Sequence, residues 1–113
     1  MPQSDVLPVN FTISPEAKNA IAQIRREYDA QFSDDPAAVL CVGWGLYSRD
    51  SKPQFENVVI SFYPQSMLAE VSRGIQEASG LHLVFFTTEQ YRRKFAGKVL
   101  DHAEGRGFFL RER

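Results

Sequence analysis

Few residues in this 113-residue chain combine a type and a setting that could do chemistry. His82 is the first. Histidine exchanges protons near neutrality and can act as an acid, a base or a metal ligand. His82 stands among Leu81, Leu83, Val84, Phe85 and Phe86, a setting that more often holds a hydrogen-bonded structural histidine. Asp101 and His102 are adjacent, and neighbours on a strand point to opposite faces, so they act together only where the chain bends. Cys41, the sole cysteine, lies between Leu40 and Val42, where apolar surroundings raise a thiol pKa rather than prepare a nucleophile. Ser61 and Ser66 lack the Gly-x-Ser-x-Gly context of a serine hydrolase. Two histidines and one cysteine, with no close ligand pair, do not make a structural zinc site. No catalytic residue is assigned; His82, Asp101 and His102 are the candidates, and no metal or cofactor is expected.

Charge restricts the partners. Thirteen Lys/Arg against fourteen Asp/Glu give a formal net charge of −1, without the basic excess of a nucleic-acid-coating protein. The distribution is uneven: residues 1–80 hold ten acids and six bases, residues 81–113 four acids and seven bases. Tyr91 beside Arg92, Arg93 and Lys94 begins a modest basic face, but successive helical residues are about 100° apart, so those charges fan out. Nucleic acid is therefore an unlikely partner by this reading. The longest uncharged apolar run is too short for a membrane span of roughly 20 residues. The first five residues lack a signal peptide's basic and apolar regions. A cytoplasmic location, no membrane contact and room for a homodimer are the expectations.

These residues must be positioned by one domain of mixed α and β type, β-rich, with about five strands and two or three helices. Residues 1–10 read as a poorly ordered lead-in and residues 11–113 as a single domain. Phe11-Thr12-Ile13 suits a short edge strand. Ser14-Pro15 starts a helix, the serine as cap and the proline at the first helical position. Ala17, Ala20, Ile21, Ile24 and Tyr28 follow on one stripe, with Lys18, Gln23, Arg26 and Glu27 opposite. Residues 38–47 alternate as a strand, Leu40, Val42, Trp44 and Leu46 on the core face and Cys41, Gly43 and Gly45 on the other. Gly43 and Gly45 leave a stretch without side chains, which admits a second backbone, a bulge or a ligand. After a polar turn at 48–53, residues 55–63 return as the second strand of a hairpin. Met67, Leu68, Val71, Ile75 and Ala78 recur at helical spacing and predict a helix over 66–79, ended by Gly80. Residues 81–86 predict a central strand covered on both faces. A short helix capped by Thr87 or Thr88 follows, then strands at 98–102 and 107–110 joined by a glycine-rich turn.

The order of these elements resembles the HesB-like, or A-type iron–sulfur carrier, family. Val84-Phe85-Phe86-Thr87, Gly97-Lys98-Val99-Leu100-Asp101-His102 and Gly107-Phe108-Phe109-Leu110 are similar to that family's closing strands. Ile13-Ser14-Pro15-Glu16-Ala17 is similar to its opening strand and helix, and residues 40–45 to the strand before its glycine-rich loop. The resemblance covers about half of the chain and makes the 66–79 helix an insertion. It implies cluster ligands near Leu46-Tyr47 and at Glu104-Gly105-Arg106, where the family has cysteines and this chain has none. Carboxylate and guanidinium do not replace the thiolates of such a site. The resemblance thus implies a shared fold without the cluster, and a role in binding a partner protein or a small ligand. A small enzyme or ligand-binding domain using His82 or Asp101/His102, and a weak nucleic-acid binder, are the alternatives. Gly43, Gly45, Glu104 and Arg106 are the candidate ligand contacts.

Protein reconstituted with iron and sulfide in the absence of oxygen is expected to carry no cluster. Stoichiometric iron and sulfide with a visible charge-transfer band would overturn that expectation.

Overall fold

The computed structural model describes residues 5–47 and 55–113; the turn expected at 48–53 and the first four residues lie outside them. Eight strands and three helices follow in the order β1 (Asp5–Val6), β2 (Thr12–Ile13), α1 (Pro15–Gln31), β3 (Ala37–Tyr47), β4 (Phe55–Pro64), α2 (Leu68–Val71), β5 (Gln76–Ala78), β6 (Leu81–Thr87), α3 (Glu89–Phe95), β7 (Val99–Ala103) and β8 (Gly107–Arg111). This is an α+β domain. No helix among the described residues is long and apolar enough to cross a membrane.

The strands make two sheets. In the larger, β4 pairs antiparallel with β3, β3 parallel with β6, and β1 and β5 both antiparallel with β6. The smaller runs β2-β7-β8, with Thr12–Ile13 at its edge as expected. The β3–β4 register sets Leu40 opposite Phe62, Val42 opposite Ile60 and Trp44 opposite Val58, so both apolar sets point the same way. They meet Phe11, Ile13, Ala17, Ile21, Phe85, Phe95 and Leu100 in one core shared by both sheets, α1 and α3. The rings of Phe11, Phe85 and Phe95 stand 4.8 to 5.1 Å apart, centroid to centroid, within the range where aromatic pairs attract. Trp44, on the core-facing side of β3, is half-buried rather than largely buried, its ring edge-on to Phe95 at 5.7 Å.

Local chemistry explains α1. Ser14 Oγ accepts from Ala17 N at 3.1 Å, Pro15 fills the first helical position, and Ala17 and Ile21 are buried. The same Oγ donates to Asp101 Oδ1 at 2.6 Å, and Ser14 N donates to Leu100 O. One residue thus caps the helix and joins it to β7. Thr88 caps α3 in the same manner, accepting from Tyr91 N.

Three expectations are revised. The helix predicted over 66–79 does not form; two 3₁₀ turns flank the four-residue α2, and residues 76–78 become β5. Ser79 and Gly80 both have positive φ, 53° and 81°, the backbone of a two-residue hairpin turn. That turn pairs Ala78 with Leu81 and Gln76 with Leu83. At Gly74, where the predicted helix needs an interior residue, a Cβ would lie 2.9 Å from a Val6 methyl, so the glycine serves packing against β1. Second, β6 is not covered on both faces: Val84 is buried, but His82 and Phe86 beside it are exposed. Third, within the segment expected to be a poorly ordered lead-in, Asp5 and Val6 form β1, and residues 7 and 9 are tied down by the Gln76 side chain. That side chain donates to Leu7 O at 2.7 Å and accepts from Val9 N at 2.8 Å.

Ser14→Ala removes the cap and the link to Asp101 together. It is expected to lower the unfolding free energy by about 1–2 kcal/mol, at the upper end for a cap. An unchanged urea midpoint would show that α1 does not depend on this residue.

Candidate functional site

A depression lies between α1, the start of β3 and the β5–β6 hairpin, with a volume of about 440 Å³. Its floor is apolar: Ile21 from α1, Leu40 from β3, Phe62 from β4, and Ile75 and Leu81 from either end of the hairpin. Arg25 and His82 stand at its rim. Each is there for a local reason. Lys18, Ile21 and Arg25 are spaced i, i+3 and i+7, which places them on one helical stripe. Ile21 meets the core, and Arg25 borders the opening. Lys18 is half-buried rather than on the water-facing side, with Nζ 3.9 Å from where a Cβ on Gly80 would stand. Arg25 Nη2 donates to Ala37 O at 3.0 Å and to Ala38 O at 3.4 Å, holding the guanidinium against the strand. The β-bulge between Ala37 and Val39 sits at this wall.

His82 is opposite Glu77 in the β5–β6 register, and its Nε2 lies 3.8 Å from Glu77 Oε2. Its side chain is 70% exposed, so it borders the depression instead of lining its floor. The structure therefore gives His82 a place at a pocket, with the Glu77 carboxylate as its neighbour across the hairpin.

Asp101 and His102 are used differently. Asp101 accepts from Ser14 Oγ, from Arg111 Nε at 2.6 Å and from His102 N at 2.8 Å. The Ser14 hydroxyl first, then Arg111 and the backbone amide, hold its carboxyl down to about 2, so it stays ionised and structurally engaged. The His102 ring packs edge-on against Phe108 at 4.8 Å. The two do not converge on a shared reacting point.

Gly43 and Gly45 have packing explanations. A Cβ on Gly43 would lie 2.8 Å from Phe86 O, and one on Gly45 would lie 2.8 Å from a Val59 methyl. The bare stretch of β3 admits the backbone of β6 and a side chain of β4. Glu104 and Arg106 are exposed on the β7–β8 turn, with the Arg106 guanidinium 3.8 Å above the Phe109 ring centroid. The basic residues are likewise dispersed. Arg92 donates to Pro8 O, Lys94 lies 3.9 Å from Glu56 and above the Trp44 ring, and Arg111 is held by Asp101.

A second, shallower depression of about 360 Å³ lies on the opposite face of the larger sheet, walled by Cys41, Gly43, Ser61, Tyr63 and Phe86. Burial pushes the Cys41 thiol up and the Tyr63 phenol up to about 12, so both are neutral at pH 7. No group of three or more His, Cys, Asp or Glu among the described residues could hold a metal ion.

Sequence reasoning singled out His82 but not Arg25, Ile75 or Phe62, and set Lys18 among the solvated residues. The i, i+3, i+7 spacing of Lys18, Ile21 and Arg25 was the available signal; an apolar residue between two cations on one stripe marks a rim. Comparisons with protein families, with curated proteins and with solved structures found no match.

The Asp101 contacts predict a pH dependence. A carboxyl held below its ordinary value of 3.8 contributes stability that is fully present above that value and is lost as pH falls toward about 2. Asp101→Asn is expected to destabilise the protein at neutral pH, with the difference from the parent shrinking between these two values in chemical denaturation. A difference constant with pH would overturn this account.

Proposed function

We propose that this domain binds a small molecule with an apolar body in the depression between α1 and the β5–β6 hairpin. The observation that carries the reading is the combination of a solvent-open set of apolar residues, Ile21, Leu40, Phe62, Ile75 and Leu81, with Arg25 and His82 beside it. Ligand sites commonly have this form, mostly apolar walls with a few placed polar groups, and volumes of roughly 300–1,000 Å³. Binding rather than catalysis is supported by the separation of the titratable candidates. Asp101 is engaged with Ser14 and Arg111, and His82 faces Glu77 across an exposed hairpin.

The resemblance to HesB-like proteins remains part of the proposal, at the level of fold. Its support is the β2–α1 opening and the β7–β8 hairpin at the residues that carry it, and fold by itself assigns no activity. A cytoplasmic setting belongs to the same reading, supported by the free thiol of Cys41, which needs no oxidising compartment.

Titration of methyl-labelled protein with neutral 2-naphthaleneethanol tests the site. Methyl resonances of Ile21, Leu40, Ile75 and Leu81 are expected to move, while those of Val6, Val59 and Val71 on the far face stay in place. Movement confined to the far face, or none at all, would overturn the proposal.

A further inference from the structure

We propose that the natural ligand of this depression is an amphipathic anion, a carboxylate carried on an aromatic or branched apolar body. The inference rests on the pocket being a binding site and adds the charge of its occupant.

Two cations of α1 stand by this opening without a direct acidic partner. Arg25 lines the opening, and Lys18, on the same stripe of α1, stands beside Gly80 of its lining; neither has an acidic side chain within ion-pair distance among the described residues. Of the two acids near this rim, Asp29 accepts from Ala37 N at 2.7 Å, and Glu77 faces His82. Arg25 spends only Nη2 on the Ala37 and Ala38 carbonyls. Its Nε and Nη1 donors remain, on a guanidinium whose orientation those two carbonyls already restrain. A pre-oriented guanidinium suits a carboxylate, which can accept two hydrogen bonds side by side. Lys18 Nζ stands beside Gly80 at the hairpin turn, so it meets the mouth from the hairpin side.

The floor below these cations is apolar, which decides against a small inorganic anion. Such an ion would lose hydration against Ile21, Leu40 and Leu81 without replacement hydrogen bonds. An anion with an apolar body avoids this conflict, because its charged end stays at the rim and its body covers the floor. A cationic ligand would face Lys18 and Arg25 directly. A neutral one would leave the Arg25 donors without a charged partner, forgoing the stronger class of hydrogen bond.

The test compares 2-naphthaleneacetate with 2-naphthaleneacetamide, which match in shape and differ in charge. The carboxylate is expected to bind about tenfold more tightly, as a charged hydrogen bond of about 1.4 kcal/mol requires. That advantage is expected to shrink between about 10 mM and about 300 mM salt, where screening lengths fall below roughly 10 Å. Lys18→Gln and Arg25→Gln are each expected to bring the carboxylate's affinity toward the amide's. Lys18 has no side-chain hydrogen bond among the described residues, so its variant remains informative if Arg25→Gln perturbs β3. Equal affinities of the two probes at the Ile21, Leu40 and Leu81 methyls would overturn the anion assignment and leave the pocket standing. Binding of neither probe would overturn both.

Discussion

The hydrogen bond from Ser14 Oγ to Asp101 Oδ1 is the contact on which the relative placement of the parts depends. Ser14 ends β2 and starts α1, so its position sets the direction of the 17-residue helix. Its backbone N–H reaches Leu100 O, and its hydroxyl both caps the helix and donates to Asp101. Asp101 is held in turn by Arg111 across the β7–β8 pair. One residue earlier, Ile13 N donates to Ser79 Oγ at 2.9 Å, which links the same corner to the β5–β6 turn. Helix, small sheet and hairpin therefore share a fixed corner. A charged acceptor makes such bonds shorter and stronger than neutral ones.

The rim of the pocket follows from that corner. With α1 directed from Ser14 and the hairpin turn held at Ser79, Lys18 is brought beside Gly80, and Arg25 against the first residues of β3. The cations are not paired with acids there, while other bases of the chain are. Arg92 with Glu89, Lys94 with Glu56 and Lys98 with Glu112 are neighbours at the surface. Exposed pairs of this type contribute little to stability; Lys18 and Arg25 have no acid within ion-pair distance among the described residues.

Close approach of backbones governs the other face. β3 and β6 run parallel at the centre of the larger sheet, and Phe86 O points to the place where a side chain at position 43 would begin. On the edge of β6 opposite β3, Phe86 pairs with Val6 of β1. Val6 and Phe86 are left 40% and 42% exposed, although Phe86 sits on a strand whose sequence is almost wholly apolar. The buried alternation of Leu83 and Phe85 on the core side accounts for that apolar composition only in part.

Local rules made much of this protein legible in its sequence. Ser14-Pro15 placed a helix start because capping and proline geometry depend on neighbouring residues alone. The alternation over Leu40, Val42 and Trp44 and over Val58, Ile60 and Phe62 made a hairpin legible, because a strand's period of two shows directly which side chains share a face. The α+β class and the short strands after α3 followed from the same signals. The helical spacing from Met67 to Ala78 was equally clear and yielded a different structure. There the competing interactions were distant in sequence: β6 supplied strand partners, Val6 occupied the space at Gly74, and Gln76 bonded to residues 7 and 9. The pocket had no linear signature for the same reason. Its floor draws on α1, β3, β4 and the hairpin, and its charge is a matter of which cations find acids after folding. Periodicity determines which face of an element is apolar; only the packed chain determines what that face meets.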